Sequence, residues 1–223
     1  MVRVERFEPR AVIFDMDGVL VDSEPLYFEI EKRSFASHGF SLNEEEHHAY
    51  VGIPLRTMWE QLRGKYGLEL SVDELLANHE GQILVSIADE VSLSPIEGVV
   101  SLIHSLREAG IAIGLASSSS LALIDTILTK VGLKSDFQVV VSGEQVRHGK
   151  PSPDIFLRAA ELLGVAPSDC LVIEDSHHGV TAAKAAGMTC VGYYNPNSGK
   201  QDLSHADRVI ASYEEIIDKG IEI

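Results

Sequence analysis

Cysteine is scarce in this chain. The 223 residues include two cysteines, Cys170 and Cys190, and both stand in apolar runs. Two cysteines cannot build the multi-disulfide framework on which small secreted folds depend, and their spacing matches no metal motif. We therefore expect both to be small residues of the core.

Basic residues are also few. The chain has 18 lysines and arginines against 34 aspartates and glutamates, which gives a formal net charge of −16. A surface of this sign repels polyanions, so we expect neither nucleic acid nor an anionic membrane to be a partner. A small anionic substrate would need a local basic group to overcome the field.

Long hydrophobic runs are missing. No apolar run reaches the length of about 18 residues that a membrane helix requires, and the charged residues 1–9 do not resemble a signal peptide. We therefore expect a cytoplasmic protein, with a monomer as the default. The hydrophobic content of 45% is enough for a sizeable core, with or without an inserted domain.

Two kinds of pattern divide the chain. Short apolar runs typical of strands alternate with helical patterns, and the strands are predicted at residues 10–15, 111–116, 138–141, 170–173, 189–193 and 209–210. Alternation of this kind predicts an α/β fold, a doubly wound parallel sheet of the Rossmann-like type.

Between the first predicted strand and the alternating strands and helices that follow residue 93, the sequence shows only helical periodicity. We therefore predict a core of residues 1–23 and 94–223 and an inserted α-helical cap domain of residues 24–93. A capping box at Ser71 and Glu74 should open its longest helix. Trp59 is expected in the core of the insertion, and His47 and His48 are expected to be solvated.

Polar side chains follow several of the predicted strands. The first strand ends in Asp15-Met16-Asp17, the next in a run of serines that begins with Ser117 and Ser118, and the strand at 170–173 in Glu174-Asp175. Lys150 stands on a proline-rich loop before a helix. Each alone has an ordinary explanation as a turn aspartate, a helix cap or a surface lysine. Ligands of parallel sheets bind beyond the carboxyl ends of the strands, so together these residues predict one site.

These residue types suit phosphoryl transfer. A carboxylate can attack phosphorus, and Mg²⁺ held by hard oxygen ligands screens the repulsion between the two anions. Asp15, Asp17 and Asp175 offer such ligands, and Lys150 offers a positive charge for the phosphate oxygens. A serine hydroxyl with nearby backbone N–H groups can bind another oxygen. Asp17 suits the protonation of the leaving oxygen.

Four segments in order resemble the motifs of the haloacid dehalogenase superfamily, in its phosphatase and phosphomutase branch with a helical cap. The segments are residues 15–23, 115–117, 150–154 and 174–179. The resemblance implies Asp15 as nucleophile and Asp17 as general acid and base. It implies Mg²⁺ on the Asp15 carboxylate, the Asp17 carbonyl and Asp175, with Glu174 a further or water-mediated ligand.

The resemblance also implies a phosphate site and a substrate site. Ser117 and Lys150 would hold phosphate, and we include Ser118 with them. In the cap, Arg56 on the loop of residues 51–56 and Tyr27 are candidate substrate contacts. Tyr27 stands where enzymes similar to beta-phosphoglucomutase typically carry histidine. This difference favours a phosphatase over a mutase.

The expected function is therefore a Mg²⁺-dependent hydrolase that releases phosphate from a small phosphorylated metabolite. The metabolite is expected to be a sugar phosphate, and the reaction to pass through a phospho-aspartate on Asp15. Two alternatives stay open, since a fold does not determine a function. The first is a sugar phosphomutase similar to beta-phosphoglucomutase. The second is a non-catalytic protein that binds a phosphate ligand.

Overall fold

A computed structural model describes residues 7–48, 50, 55–89, 93–199 and 201–217. The chain forms two compact units, and each is described by itself. The sheet unit comprises Met1–Ser23 and Ser92–Ile223, and the helical unit comprises Glu24–Val91. The sequence placed the end of the insertion at residue 93.

The sheet unit is built on one parallel sheet. Its strands are β1 (Ala11–Phe14), β2 (Ala112–Ser117), β3 (Val139–Ser142), β4 (Cys170–Glu174), β5 (Thr189–Tyr193) and β6 (Arg208–Ile210). They lie in the order β3-β2-β1-β4-β5-β6, and every pairing is parallel. The predicted doubly wound α/β sheet is confirmed. The strand order reverses at β1, which is where ligands of such sheets bind.

The described part of the helical unit contains helices alone as regular structure. They are α1 (Glu24–Ser37), α2 (Glu44–His48), α3 (Leu55–Tyr66) and α4 (Val72–Asp89). Trp59 is fully buried with Phe35 in the core of this unit, as predicted. The capping box is confirmed, because the backbone N of Ser71 donates to Glu74 Oε2 at 2.9 Å and the backbone N of Glu74 donates to Ser71 Oγ at 3.2 Å.

The prediction that His47 is solvated is wrong. Its ring is 1% exposed, forms a hydrogen bond with Glu31 and stacks on Phe28 with ring centroids 4.1 Å apart. The residues that precede His47 are acidic, but the short helix α2 packs the His47 ring against α1. The side chain of His48 and the loop of residues 51–54 lie outside the described residues.

Five helices complete the described sheet unit. They are α5 (Val99–Glu108), α6 (Leu121–Lys130), α7 (Asp154–Leu163), α8 (His177–Ala185) and α9 (Glu214–Ile217). Helix α8 begins at His177, because Ser176 caps it: Ser176 Oγ accepts the backbone N–H of Gly179 at 3.0 Å. Among the described helices, none is long and apolar enough to cross a bilayer.

The core of the sheet unit fixes the position of β1. All four residues of β1 are fully buried, and Ile13 packs in one cluster with Phe156 of α7 and Val180 of α8. Each large apolar side chain buried in this way contributes about 1.5–3 kcal/mol. Cys170 and Cys190 are buried free thiols in the same cluster, as predicted. The end of β1 is therefore held rigidly.

Candidate active site

Three strand ends meet at the centre of the sheet. Phe14 of β1 pairs with Leu115 of β2 and with Ile173 of β4. The next residue, Asp15, donates its backbone N–H to the carbonyl of Ile173 at 3.0 Å, so it stays in line with the strand. The carboxyl ends of parallel strands lie at one edge of the sheet. Asp15 therefore lies beside the end of β4, whose last residue is Glu174. Asp15 is 7% exposed and Glu174 is 1% exposed.

Lys150 joins these strand ends. It follows β3 on the segment before α7, and its Nζ donates to Asp15 Oδ1 at 2.5 Å and to Glu174 Oε1 at 2.7 Å. A third hydrogen bond of 3.1 Å goes to the carbonyl of Ala116 on β2. Burial alone would lower the pKa of Lys150, but the two carboxylates outweigh it and raise the pKa above the ordinary value. The ammonium group is therefore charged at neutral pH.

Glu174 is held from both sides. Its Oε1 accepts Lys150, and its Oε2 accepts the backbone N–H of Ser176 at 2.7 Å and the hydroxyl of Ser176 at 2.9 Å. Gly179 makes room for it, because a Cβ there would stand 1.7 Å from Glu174 Oε1. Both carboxylate oxygens of Glu174 already accept hydrogen bonds from the protein. This favours Glu174 as a residue that positions Lys150 over Glu174 as a direct metal ligand.

Asp17 lies on the tight turn that follows β1. Gly18 has a φ of +77°, and its backbone N–H donates to the carbonyl of Val21 at 2.8 Å. The Asp17 carboxylate accepts the hydroxyl of Ser23 on Oδ1 at 2.6 Å and the hydroxyl of Ser119 on Oδ2 at 3.0 Å. Two hydroxyl donors thus orient the side chain that the sequence assigns to proton transfer.

The serine run after β2 forms a polar turn. Ser117 is 1% exposed, and its hydroxyl accepts the backbone N–H of Ser119 at 3.1 Å. Ser118 is exposed. The cap of α6 is Ser120, whose hydroxyl accepts the backbone N–H of Leu123. Ser117 is therefore not the cap of α6. It directly follows Ala116, whose carbonyl accepts Lys150, and its assignment to phosphate binding stays a prediction.

Burial and neighbouring acids raise the pKa values of Asp15 and Asp175. Burial raises the pKa of Asp15 well above its ordinary value, Lys150 opposes the rise, and Glu174 and Asp175 add to it. Burial and then Glu174 raise the pKa of Asp175 to about 7. The hydroxyl of Ser198 lies beside this carboxylate and opposes the rise, although it forms no hydrogen bond of good geometry. Asp17 raises the pKa of both groups.

This cluster predicts the pH dependence of stability. The pKa of Asp175 is about 7 in the folded protein against an ordinary value of 3.8, so the folded state binds the proton more tightly. The charged group opposes folding above its folded pKa, and the penalty disappears as pH falls through 7 toward 4. Thermal melts in a chelator should show a higher Tm at about pH 5 than at about pH 8. A Tm that rises steadily with pH over this range would contradict the prediction.

A divalent cation fits the charges of the cluster. Within the described part of the chain, Asp15 and Glu174 share the ammonium of Lys150, while Asp17 and Asp175 add two more carboxyl groups. Like charges in a buried site are costly unless cations or protons offset them, and Mg²⁺ prefers hard oxygen donors of this kind. No group of three or more His, Cys, Asp or Glu side chains among the described residues can hold a metal by itself. Backbone oxygens and water would therefore complete the ligand set.

Replacing Gly18 with alanine should disturb Asp175. A Cβ at Gly18 would stand 2.1 Å from Asp175 Oδ2, in a backbone conformation that L-residues rarely adopt. Gly110 is the matched control, because it has a φ of +73° and nothing lies within 4 Å of an added Cβ. Both substitutions should lower stability by about 1–2 kcal/mol through backbone strain. Only Gly18→Ala should also lower phosphate release, by about tenfold or more, because it would displace the carboxylate that the sequence predicts as a metal ligand. Equal activity in the two variants would contradict this.

Two candidate residues lie in the helical unit. Tyr27 is on α1, and Arg56 is on α3, where its Nη2 donates to Asp73 Oδ1 at 2.6 Å. The Arg56 side chain is 56% exposed in this pair. Their assignment as substrate contacts stays a prediction.

The contacts of Asp17 were not predicted from the sequence. Ser23 ends the first motif and Ser119 belongs to the serine run, but neither was given a role. The loop after β5 was also missed, although its Asn195 is 3% exposed and donates to the carbonyl of Gly18. The rule that polar residues beyond strand ends form the site applies to β5 as well and would have found Asn195.

Comparison with known proteins finds relatives that cover most of this chain. The chain is 35% identical over 213 residues to the phosphorylated carbohydrates phosphatase of Thermotoga maritima, covering 93% of this chain and 96% of the relative. It is also 35% identical over 190 residues to the beta-phosphoglucomutase of Bacillus subtilis, covering 82% of each. The first of these relatives supports the predicted phosphatase activity, and the second is a sugar phosphomutase.

A solved structure shows the same fold. The chain superposes with a TM-score of 0.80 and 25% identity on a variant of CbbY from Rhodobacter sphaeroides in complex with xylulose-(1,5)-bisphosphate, over 93% of this chain and 96% of that one. Residues 12–193 match the model of the haloacid dehalogenase-like hydrolase family. The sequence resemblance is thereby confirmed, and the chain belongs to the haloacid dehalogenase-like hydrolases.

Proposed function

We propose that the chain is a Mg²⁺-dependent phosphatase that releases phosphate from a small phosphorylated metabolite of the sugar phosphate class through a phospho-aspartate on Asp15. The observation that supports this most is the buried contact of 2.5 Å between Lys150 Nζ and Asp15 Oδ1 at the end of β1. Asp17, held by two hydroxyls, follows two residues later. A phosphatase of phosphorylated carbohydrates among the relatives supports the substrate class.

In the first half of the reaction, Asp15 attacks the phosphorus atom. Lys150 engages Oδ1, so we assign the attack to Oδ2. The new bond joins Oδ2 to phosphorus as the bond from phosphorus to the ester oxygen breaks. Asp17 in its acid form gives a proton to the departing oxygen, and the alcohol leaves.

In the second half, water hydrolyses the aspartyl phosphate. Asp17 is now a carboxylate and takes a proton from water while the water oxygen bonds to phosphorus. The bond from phosphorus to Asp15 breaks, inorganic phosphate forms and both aspartates return to their starting states. Ser23 and Ser119, whose hydroxyls hold the Asp17 carboxylate, would keep it directed at the reacting oxygen.

The Asp15 carboxylate, the Asp17 carbonyl and the Asp175 carboxylate would hold the Mg²⁺. Bound Mg²⁺ supplies the charge that screens the repulsion between Asp15 and the phosphate. Glu174 would act through Lys150 or through a water, because Lys150 and Ser176 engage its two oxygens.

The remaining phosphate oxygens would be bound by residues around Lys150. We assign the Ser117 hydroxyl, the Ser118 segment and the Lys150 ammonium to this task. Tyr27 and Arg56 are assigned to the distal part of the substrate, and the tyrosine favours hydrolysis over isomerisation. A monomer is proposed as the working form, which size-exclusion chromatography tests.

A substrate screen tests the proposal. The purified chain should release inorganic phosphate from one or more sugar or polyol phosphates with Mg²⁺ present. Activity should disappear in a chelator and return when Mg²⁺ is restored. Tight binding of a phosphate ester without turnover of any ester in the panel would overturn the proposal and favour a binding protein.

A sugar phosphomutase is the second candidate, favoured by the likeness to beta-phosphoglucomutase. A mutase would interconvert positional isomers in the presence of a hexose bisphosphate activator and release little phosphate. Phosphorus NMR of a sugar 1-phosphate with and without the activator separates the two reactions. Free phosphate as the main product supports the phosphatase, and a new phosphate ester as the main product supports the mutase.

A further inference from the structure

The loop after β5 connects the two segments that bear the proposed metal ligands. We call residues 195–201 the amide loop; residue 200 lies outside the described part of the chain. Asn195 Nδ2 donates to the carbonyl of Gly18 at 3.2 Å, beside Asp17. Gln201 Nε2 donates to the carbonyl of Asp175 at 2.7 Å and to that of Tyr193 at 3.3 Å. One loop therefore reaches the ends of β1, β4 and β5.

The amide loop fixes Gly18 on its carbonyl side. The N–H of Gly18 belongs to the same peptide group as the Asp17 carbonyl, and it donates to the carbonyl of Val21 at 2.8 Å. Asn195 holds the carbonyl of Gly18. With both sides of Gly18 held, the peptide that bears the Asp17 carbonyl has one orientation.

The peptide group between Asp175 and Ser176 is held in the same way. Its N–H donates to Glu174 Oε2 at 2.7 Å, and its carbonyl accepts Gln201 Nε2 at 2.7 Å. Hydrogen bonds of both the N–H and the carbonyl of this peptide group therefore fix the backbone next to the Asp175 side chain. Glu174 and Gln201 share this task from opposite sides.

The Gln201 side chain also contacts the backbone of Asn195. Gln201 Oε1 accepts the backbone N–H of Asn195 at 3.1 Å, so the donor groups of Gln201 point at the carbonyls of Asp175 and Tyr193. Asn195 is 3% exposed, and an amide at that depth needs its partners. This arrangement has the form of an outer shell around a metal site, in which hydrogen-bonding partners orient the ligands.

We propose that Asn195 and Gln201 are positioning residues that direct the Asp17 carbonyl and the Asp175 carboxylate toward one metal ion. The proposal rests on the Mg²⁺ site of the proposed function. Both amides donate to backbone carbonyls, so the proposal gives them no place among the ligands of the ion. They act through the backbone of Gly18 and Asp175.

Calorimetric titration of the purified chain with MgCl₂ tests this. Gln201→Met keeps the length of the side chain and removes all its hydrogen bonds, and it should weaken Mg²⁺ affinity by about tenfold or more. Phosphate release should then need correspondingly more Mg²⁺, while KM for the substrate at saturating Mg²⁺ stays close to that of the parent. Raising Mg²⁺ should restore kcat.

Asn197→Ala is the matched control in the same loop. The Asn197 side chain donates to Asp22 Oδ2 at 2.5 Å and has no hydrogen bond to Gly18 or Asp175. Its backbone N–H, which the substitution keeps, donates to Asn195 Oδ1 at 2.9 Å, and Asp22 Oδ1 accepts Asn195 Nδ2 at 3.4 Å. The Mg²⁺ affinity of this variant should match that of the parent within about twofold. An unchanged affinity in Gln201→Met, or an equal loss in Asn197→Ala, would overturn the proposal.

A second variant covers the case in which Gln201→Met fails to fold. Gln201→Glu keeps the shape and the acceptor for Asn195, loses the two donor contacts and adds a negative charge that attracts cations. A weaker Mg²⁺ affinity in this variant therefore supports positioning, and an equal or tighter affinity contradicts it. A parent chain that binds no Mg²⁺ would contradict both the proposed Mg²⁺-dependent function and the positioning role. A parent that binds Mg²⁺ with variants that bind it equally well removes only the positioning role.

Discussion

Replacing Asp15 with asparagine should lower the rate of phosphate release by at least about a thousandfold, because the amide cannot form the covalent intermediate. Folding should survive the change. The pKa of Asp15 is raised by burial and by neighbouring acids, so its charged form opposes folding at neutral pH. Removing that charge should leave the Tm equal to or above that of the parent.

The measurement pairs a phosphate-release assay with thermal melts of parent and variant prepared identically. Asp125→Asn is the matched control, because Asp125 on α6 is a carboxylate whose side chain is 58% exposed and pairs with Lys134. It should keep parental activity. Full activity in Asp15→Asn, once a contaminating phosphatase is excluded, would overturn the nucleophile assignment.

Replacing Lys150 with methionine should cost both activity and stability. Its Nζ donates to both Asp15 and Glu174. The side chain of Lys150 is 7% exposed, that of Asp15 is 10% exposed and that of Glu174 is 1% exposed. Removing one partner of a buried ion pair leaves uncompensated charge and typically costs about 3–5 kcal/mol. Phosphate release should fall by about a hundredfold or more, because the positive charge at the transferring phosphoryl group is lost.

The pH dependence of this loss identifies its cause. The raised pKa of Asp15 lets it take up a proton as pH falls, so the destabilisation of Lys150→Met should be smaller at about pH 5 than at about pH 8. Lys184→Met is the control, because Lys184 pairs with Asp207 at 2.6 Å and is 37% exposed. An exposed pair of that kind is worth about 1 kcal/mol or less. Equal denaturation midpoints in Lys150→Met and Lys184→Met at neutral pH would contradict the prediction.

The strands and their ends could be predicted because each carries a strong local signal. Apolar runs that stop at Asp15, Ser117 or Glu174 mark both a buried strand and the polar residue beyond it. Parallel sheets collect such ends at one edge, so Lys150 and the acids could be grouped without any distance. The structure brings these residues together as that rule requires.

The supporting contacts could not be predicted in this way. Ser119 and Asp17 are 102 residues apart, and Asn195 and Gly18 are 177 residues apart. Such pairings depend on loop conformations, for which no periodicity exists in the sequence. The burial of His47 was missed for a related reason, since tertiary packing against Phe28 outweighs the polar character of its own segment.

The central place of β1 has a consequence for the order in which the molecule is made. The ribosome releases β1 early, but its partners β2 and β4 begin at Ala112 and Cys170. Residues 24–91 form a compact unit of neighbouring segments and can gain structure during synthesis. Strand β1 must wait for these partners, with its apolar residues unpaired, until most of the chain has emerged. Slow translation or truncation before β4 should therefore favour aggregation over a partly active product.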